Sequence, residues 1–197
     1  MDARDTLKGL RVIDFSQGVA GPLCGMTLAQ YGAGVIKIEP PAGDWGRRLG
    51  TPAGDLTAYA CAYNLGKRSL SLDLKTSEGQ AIARSLCESA DVVIENFRPG
   101  AMDRLGLGYA DLSRVNDRLV YLSISGFGRD GPGAGMRATD TVMQAFSGFV
   151  SINRGNDGAP HKSEMAVADV STGLFASQRL LMALLARERG GGGPRAA

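Results

Sequence analysis

LRVIDFSQGVAGPLCGMTLAQYGAGVIKIEP, residues 10–40, is the stretch that decides the fold of this chain. Residues 10–15 are rich in apolar and β-branched side chains, which is typical of a buried strand. A glycine-bearing turn follows, residues 22–31 have helical character, and residues 34–39 (GVIKIE) predict a second strand. We therefore predict a βαβ unit, in which two parallel strands are joined by a helix.

The same alternation continues along the rest of the chain. Predicted strands cover residues 69–74, 91–96 and 119–125, and predicted helices cover residues 77–90, 100–105, 109–116, 139–147 and 172–189. Thr76 and Ser77 are the candidate caps of the helix at 77–90. Strands that alternate with helices predict an α/β fold with a Rossmann-like, doubly wound and mostly parallel sheet. The glycine-rich loop at residues 127–135 follows a strand, where open α/β sheets bind ligands.

Composition limits the classes of protein to consider. With 197 residues, 44% of them apolar, the chain has the length of one α/β domain. Its 22 basic and 20 acidic side chains nearly cancel, so we expect no nucleic-acid partner. No apolar run has the length of a bilayer span and the first residues lack a signal peptide, so we expect a cytoplasmic protein without a membrane partner. Residues 190–197 (GGGGPRAA) have the composition of a disordered tail.

The cysteines and the histidine offer little catalytic chemistry. Cys24, Cys61 and Cys87 are odd in number, widely spaced and set among apolar residues, which favours reduced thiols over disulfides or a metal site. His161 is the only histidine, and its polar surroundings predict a loop. We therefore expect neither a metal nor a Ser/His/Asp triad.

The first turn also lacks the fingerprint of a dinucleotide site. That fingerprint is GxGxxG directly after the first strand, because pyrophosphate must approach bare backbone N–H groups. Here Gly18 and Gly21 are three residues apart and Pro22 stands at the expected helix start. We expect no nicotinamide cofactor.

Four motifs, in this order, resemble one known family. They are residues 7–41 (LKGLRVIDFSQGVAGPLCGMTLAQYGAGVIKIEPP), residues 64–80 (NLGKRSLSLDLKTSEGQ), residues 90–109 (ADVVIENFRPGAMDRLGLGY) and residues 168–173 (ADVSTG). The chain thereby resembles the class III coenzyme A transferases, a group that includes formyl-CoA transferase, carnitine CoA-transferase and acyl-CoA racemases. The resemblance implies that residues 1–189 are the amino-terminal, incomplete part of a large Rossmann-like domain, followed by the tail at 190–197.

The resemblance also implies a nucleophile. In the family, the aspartate of the segment that matches ADVSTG attacks an acyl-CoA thioester, which gives an aspartyl anhydride and then an aspartyl-CoA thioester that a carboxylic acid opens. Asp169 has that position. The small residues Ala168, Ser171 and Gly173 would permit a close approach to it. From local pattern alone, Asp169 is also a candidate N-cap of the helix predicted at 172–189.

Coenzyme A itself is implied as a substrate and not as a permanently bound cofactor. Its phosphates and adenine need cations, backbone amides and an apolar shelf. By resemblance the CoA site comprises Val19, Ala20, Leu72, Asp73, Leu74, Lys75, Asn96, Phe97, Arg98, Arg104, Arg137, Ala138, Thr139 and Asp140. Some relatives place an arginine where this chain has Pro40, so we expect that phosphate contact either to be lost or to be supplied by another residue, for which Lys37 and Arg47 are candidates.

Two alternatives to a transferase remain. The racemase branch uses a histidine where this chain has Thr139, which cannot act as a base near neutral pH, so racemisation is disfavoured. Family members are longer and interlock as dimers, so this chain could also be an inert CoA-binding fragment. In that case part of its apolar surface would lack cover. If a full-length chain exists, the resemblance implies a homodimer.

Overall fold

The structure, a computed structural model, describes residues 3–54, 56–190 and 195–196. Single 3₁₀ turns lie at Ala3–Asp5 and Trp45–Arg48. The strands are β1 (Arg11–Asp14), β2 (Gly34–Glu39), β3 (Pro52–Ala53), β4 (Leu56–Thr57), β5 (Arg68–Ser71), β6 (Val92–Glu95), β7 (Val120–Ser123) and β8 (Arg195–Ala196). The helices are α1 (Ala20–Gln30), α2 (Ala58–Ala62), α3 (Ser77–Glu88), α4 (Ala101–Arg104), α5 (Tyr109–Leu112), α6 (Asp140–Phe146), α7 (Phe149–Ile152) and α8 (Val167–Glu188).

The central sheet confirms the predicted α/β class. Its strand order is β5-β2-β1-β6-β7-β8, and each neighbouring pair runs parallel. The chain moves outward from β1 to β2 and β5, then crosses back to β6 and continues the other way. The strand order therefore reverses between β1 and β6, and the crevice at their carboxyl ends is where such sheets bind ligands. A separate antiparallel pair joins β3 and β4.

Apolar side chains fill both faces of the sheet, as a covered parallel sheet requires. On one face, α1 and α8 pack over Val12, Val35 and Ile94. On the other face, Ile13, Val93 and Tyr121 pack with residues of α3, α4 and α5; the buried members include Ala83, Cys87, Met102 and Leu112. The two layers of helices fix the carboxyl edge of the sheet as the open, ligand-accessible edge.

Close packing of α1 and α8 depends on Gly173. A Cβ built at this position would lie 2.7 Å from the carbonyl oxygen of Ala20 and 3.0 Å from the side chain of Leu23. Gly173 therefore brings two helix backbones together, rather than clearing space around Asp169 as its place in ADVSTG suggested.

Element bounds differ from the predicted ones where another part of the chain decides them. Strand β2 and the Thr76 cap of α3 agree with prediction, since the Thr76 hydroxyl accepts a hydrogen bond from the Gly79 N–H at 3.1 Å. The strand predicted at 69–74 ends at Ser71, because Asp73 already belongs to the turn before α3. Helix α8 begins at Val167, five residues before its predicted start. The short elements α2, α7 and the β3–β4 pair were not predicted.

The chain after α8 lies largely outside the described residues. Residues 195–196 form β8, which pairs with β7. For these two residues the structure differs from the predicted disorder, because the free edge of β7 offers backbone hydrogen-bonding groups. The remaining part of the tail, residues 191–194 and 197, is outside the described residues.

One apolar face of α8 is exposed. It includes Phe175, Met182 and Leu185, whose exposed fractions are 69%, 68% and 52%. Among the described residues, no helix combines the length and the apolar character that a membrane crossing needs.

Candidate active site

Asp169 lies in the first turn of α8, near the carboxyl edge of the sheet. The helix begins after Ala166, whose methyl group cannot accept a hydrogen bond. Asp169 itself is the third residue of the helix and not its cap. The alternative in which Asp169 is an N-cap is therefore wrong, since its carboxylate is not needed for the backbone of its own helix.

The cap of α8 comes from α6. One carboxylate oxygen of Asp140, Oδ1, accepts hydrogen bonds from the N–H groups of Ala168 at 2.8 Å and of Asp169 at 3.0 Å. The other oxygen, Oδ2, accepts one from the buried amide of Gln144. Asp140 thereby satisfies two of the N–H groups that a helix start leaves without partners.

The carboxyl group of Asp169 has a raised pKa of about 6. Partial burial is the larger cause, because it disfavours the charged form, and the charge of Asp140 adds to it. Within the described part of the chain, no hydrogen bond reaches the Asp169 carboxylate. A carboxylate that is half-buried and not engaged by donors keeps more basicity than one on the surface.

Asp169 lines two cavities that meet at the carboxyl edge. The first has a volume of about 410 Å³ and is mainly apolar, with Ile124, Phe127, Met143 and Phe149 in its wall. The second, about 530 Å³, extends toward Trp45 and Tyr59. The residues that line both are Ala20, Asn96, Phe97, Ala138, Thr139 and Asp169. A ligand in either cavity could therefore reach the Asp169 side chain.

Asn96 holds the loop between β1 and α1 across the crevice. Its Oδ1 accepts from the Gln17 N–H at 2.9 Å, and its Nδ2 donates to the Gln17 carbonyl at 2.8 Å. Next to it, Gly18 has a φ of +81°, and a Cβ there would lie 2.1 Å from the Trp45 ring. Only glycine meets both demands, because a positive φ is strained in other residues and the ring occupies the space of a side chain.

The structure gathers part of the predicted CoA site. The predicted site residues that line one or both cavities are Val19, Ala20, Asn96, Phe97, Arg98, Ala138, Thr139 and Asp140, together with Asp169. The predicted residues that line neither cavity are Leu72, Asp73, Leu74, Lys75, Arg104 and Arg137. Leu72, Leu74 and Phe97 nevertheless pack on the same apolar cluster, so the end of β5 and the end of β6 share one apolar surface. Arg104, Arg137 and Lys75 are exposed.

The expected replacements for a phosphate-binding arginine at Pro40 have other partners. The Lys37 ammonium is buried and lies 2.8 Å from Asp44 and 2.6 Å from the Ser16 carbonyl oxygen. Arg47 donates to both oxygens of Glu39 at 2.6 Å. Although burial raises it, the pKa of Glu39 is held at about 2 by these bonds. The Lys37 ammonium is therefore held in the protein interior, whereas the Arg47 side chain is 30% exposed and is engaged by Glu39, so both expected replacements already have protein partners.

Sequence reasoning missed six residues that line the second cavity: Gln17, Trp45, Leu49, Tyr59, Thr141 and Ala166. Burial is the main reason that the pKa of Tyr59 rises to about 12, and the charges of Asp169 and Asp140 contribute to it. Tyr59 is on the short helix α2, which no periodic pattern in the sequence predicted. The sequence marked none of these residues as a site residue, although Trp45 is its single tryptophan.

The remaining candidates have structural surroundings. Thr139 accepts a hydrogen bond from the Val142 N–H and caps α6. His161 is exposed, with its Nε2 3.3 Å from Asp157. The three cysteines are free, and burial raises the pKa of the Cys24 and Cys87 thiols to about 12. No cluster of three metal-ligating side chains occurs among the residues that the structure describes.

Comparison with known proteins identifies the family of the chain. A family model described as CoA-transferase family III matches residues 7–196. The chain is 44% identical over 195 residues to a succinate–glutarate CoA-transferase of Agrobacterium fabrum, covering 95% of this chain and 49% of that protein. It is 43% identical over 187 residues to an acetyl-CoA:oxalate CoA-transferase of Acetobacter aceti, covering 94% and 48%. The crystal structure of a CAIB/BAIF family protein from Brucella suis superposes with a TM-score of 0.92 at 40% identity, covering 97% and 52%. The chain spans about half the length of the curated relatives it matches.

Proposed function

Since the chain belongs to CoA-transferase family III, we propose that it carries the acyl-accepting carboxylate of a CoA transferase, Asp169. The substrates would be an acyl-CoA and a carboxylic acid, between which coenzyme A moves. Relatives are named for oxalate, succinate and glutarate, all of them small carboxylic acids. The observation that carries the proposal is the raised pKa of a half-buried, unengaged carboxylate that lines both cavities.

The proposed reaction has two halves. A carboxylate oxygen of Asp169 attacks the thioester carbon, the new C–O bond forms, and the C–S bond breaks to release CoA thiolate. The thiolate then attacks the aspartyl carbonyl of this anhydride, which releases the first acyl group as a carboxylate and leaves an aspartyl-CoA thioester. The acceptor carboxylate reverses these steps, so that Asp169 is regenerated and a new acyl-CoA leaves.

Three features of Asp169 suit this role. Its raised pKa of about 6 leaves it ionised at neutral pH but more basic, and so more nucleophilic, than an exposed aspartate. The start of α8 has a partial positive charge that favours an anion and a developing oxyanion. Two adjoining cavities give room for a donor and an acceptor group on either side of the carboxylate.

The proposed CoA groove follows the carboxyl edge of the sheet. Asn96, Phe97 and Arg98 would contact the CoA chain beside Asp169, and the shared apolar surface of Leu72 and Leu74 would support the adenine. The exposed cations Lys75, Arg104 and Arg137 would bind phosphates. In a complete protein we expect this groove to be completed by further chain, in a cytoplasmic homodimer.

Two alternatives are less well supported. An acyl-CoA racemase needs a base where Thr139 stands, and the Thr139 hydroxyl instead caps α6. For a CoA-binding but inert fragment, the observation in favour is the exposed apolar face of α8 around Phe175 and Met182.

The test is to trap the covalent adduct. The chain is incubated with acetyl-CoA or succinyl-CoA and treated with hydroxylamine, and modified residues are located by mass spectrometry. Modification at Asp169 that disappears in Asp169→Asn, and that persists in the surface control Asp111→Asn, supports the transferase. CoA binding without modification of Asp169 supports the inert fragment and contradicts the proposal.

A second measurement separates a CoA groove from a charged surface. Arg104→Ala should weaken CoA binding by about 5–20-fold in calorimetry at low salt, as expected when one charge-assisted phosphate contact is lost. The exposed Arg114, which lies just after α5 and pairs with Asp111 of that helix at 3.4 Å, provides the matched control. Equal loss in Arg114→Ala would mean that CoA is attracted by net charge alone.

A further inference from the structure

The start of α8 depends on a side chain from another helix. The N–H groups of Ala168 and Asp169 both donate to Oδ1 of Asp140, at 2.8 and 3.0 Å. Asp140 is therefore hydrogen-bonded to the backbone of the nucleophile itself. Because Ala166 offers no acceptor of its own, these two bonds orient the helical turn that carries the Asp169 side chain.

Asp140 is itself fixed by the buried side chain of Gln144. The Gln144 Nε2 donates to Oδ2 of Asp140 and to the carbonyl oxygens of Ser163 and Met165, at 3.2 and 3.3 Å. The Gln144 Oε1 accepts from the Ser163 N–H at 2.8 Å. This relay ties α6 to the segment before α8, so the Asp140 carboxylate has little freedom to turn toward a ligand.

A capping role alone does not require a charge. The chain caps α3 with the hydroxyl of Thr76 and α2 with that of Thr57, each accepting a single N–H bond at 3.1 Å. At α8 the chain instead places a full negative charge beside a second carboxylate. Two close carboxylates in a half-buried site repel each other, which is costly unless the repulsion serves the site.

From this arrangement we infer that Asp140 is a positioning residue for Asp169: it holds the first turn of α8 through two N–H groups and places its own negative charge beside the Asp169 carboxylate. The inference deepens the proposed function and rests on it for its chemical meaning. The inference also means that Asp140 acts on Asp169 and does not contact CoA, because both its oxygens already accept hydrogen bonds from the protein.

Few other charged or titratable groups face Asp169. From α2, Tyr59 faces the same cavity with a raised pKa, so it is neutral near pH 7. Arg98 lines the wall of the first cavity and is exposed. Before α8, Glu164 is exposed and pairs with Lys162 at 2.9 Å. The pKa of Asp169 is therefore raised by two causes, of which burial is the larger and the charge of Asp140 the smaller.

The experiment follows the Asp169 carboxyl carbon by ¹³C NMR in the free chain, without CoA. In the wild-type chain its midpoint should lie at about 6. Asp140→Asn keeps an oxygen acceptor for the two N–H groups, loses the bond that Oδ2 accepts from Gln144, and removes the charge, so the midpoint should fall. It should remain above 3.8, because burial is unchanged. Thr76→Ala, which removes the cap of a distant helix, should leave the midpoint unchanged.

Adduct formation is measured on the same variants. Asp140→Asn should slow modification of Asp169 by acetyl-CoA several-fold at pH 7.5 and move its pH midpoint downward with the NMR value. Asp140→Ala should slow it further, since the turn loses its two hydrogen bonds. Circular dichroism checks that each variant is folded, and Asp140→Asn keeps the test decisive if Asp140→Ala unfolds.

The two results separate the inference from the proposed function. An unchanged midpoint in folded Asp140→Asn overturns the inference, because a residue that only caps a helix would not alter the ionisation of Asp169. A lowered midpoint supports it even if acetyl-CoA never modifies the wild-type chain, and that second result would contradict the proposed function alone.

Discussion

Replacing Asp169 by asparagine should stabilise the folded chain at neutral pH while abolishing adduct formation. The reason is that the wild-type carboxylate is ionised in a half-buried position beside Asp140. Folding therefore removes part of its hydration and brings it close to a like charge. Asparagine has nearly the same shape without the charge, so the variant avoids both costs.

The magnitude follows from the pKa. A shift from 3.8 to about 6 corresponds to about 3 kcal/mol of free energy of unfolding if taken at full value. Asp169 remains partly in contact with water, which screens its interaction with Asp140. In addition, the partial positive charge at the start of α8 stabilises a negative charge by roughly 0.3–1 kcal/mol. We therefore expect Asp169→Asn to raise the free energy of unfolding by about 1–2 kcal/mol at pH 7.5.

The gain in the free energy of unfolding of Asp169→Asn over the wild type must increase as the pH rises. Below 3.8 the carboxyl is protonated in both folded and unfolded chains, so wild type and variant should be equally stable. Between 3.8 and about 6 the unfolded chain ionises first, and the penalty on the wild type grows. Above about 6 the penalty is complete.

Urea denaturation followed by circular dichroism at several pH values measures the difference. Asp111→Asn is the matched control, because Asp111 also lies in the first turn of a helix but on the surface. The control should change stability by no more than about 0.5 kcal/mol at any pH. If Asp169→Asn destabilised the chain at pH 7.5, or if its gain were the same at pH 4, Asp169 would not be the perturbed carboxylate described here.

Three other changes test different parts of the structure. Lys67→Met should lower the free energy of unfolding by about 3–5 kcal/mol in urea, because it leaves Asp14 buried without the ammonium that lies 2.7 Å away; a loss under 1 kcal/mol would argue against that buried pair. Gly173→Ala should lower the free energy of unfolding by about 1–3 kcal/mol in thermal denaturation, because the added methyl group forces α8 away from α1. Gly135→Ala, which has open space around it, should be nearly neutral in the same measurement. Acyl-CoA binding should change the fluorescence of Trp45, the single tryptophan of the chain and part of the second cavity, and an unchanged spectrum at saturation would place the ligand elsewhere.

Much of the fold was predictable because local sequence patterns indicate its strands and helices. Residues 34–39 were predicted as a strand and are β2, since their apolar run suits a sheet covered on both faces. The βαβ alternation then implied parallel pairing, which the register of β1 with β2 confirms. The family resemblance, drawn from four motifs in order, is confirmed by the family match over residues 7–196.

Errors occurred where a distant side chain completes a local element. The start of α8 was predicted five residues late because its cap, Asp140, lies 28 residues before Ala168 and on another helix. For the same reason Asp169 was open to interpretation as a cap. Lys37 and Arg47 were available cations in the sequence, but folding places them against Asp44 and Glu39.

By itself, the sequence determined the order of the main strands and helices, the family, and the residue types that can perform the proposed chemistry. Periodicity and turn residues act within a few positions of one another, so they can be recognised in a single segment. Only the tertiary structure decided the burial of Asp169, the hydrogen bonds from α8 to Asp140 and the participation of Trp45 and Tyr59 in the second cavity. Burial and Coulomb interactions depend on distances through space, and no local pattern along the chain specifies those distances.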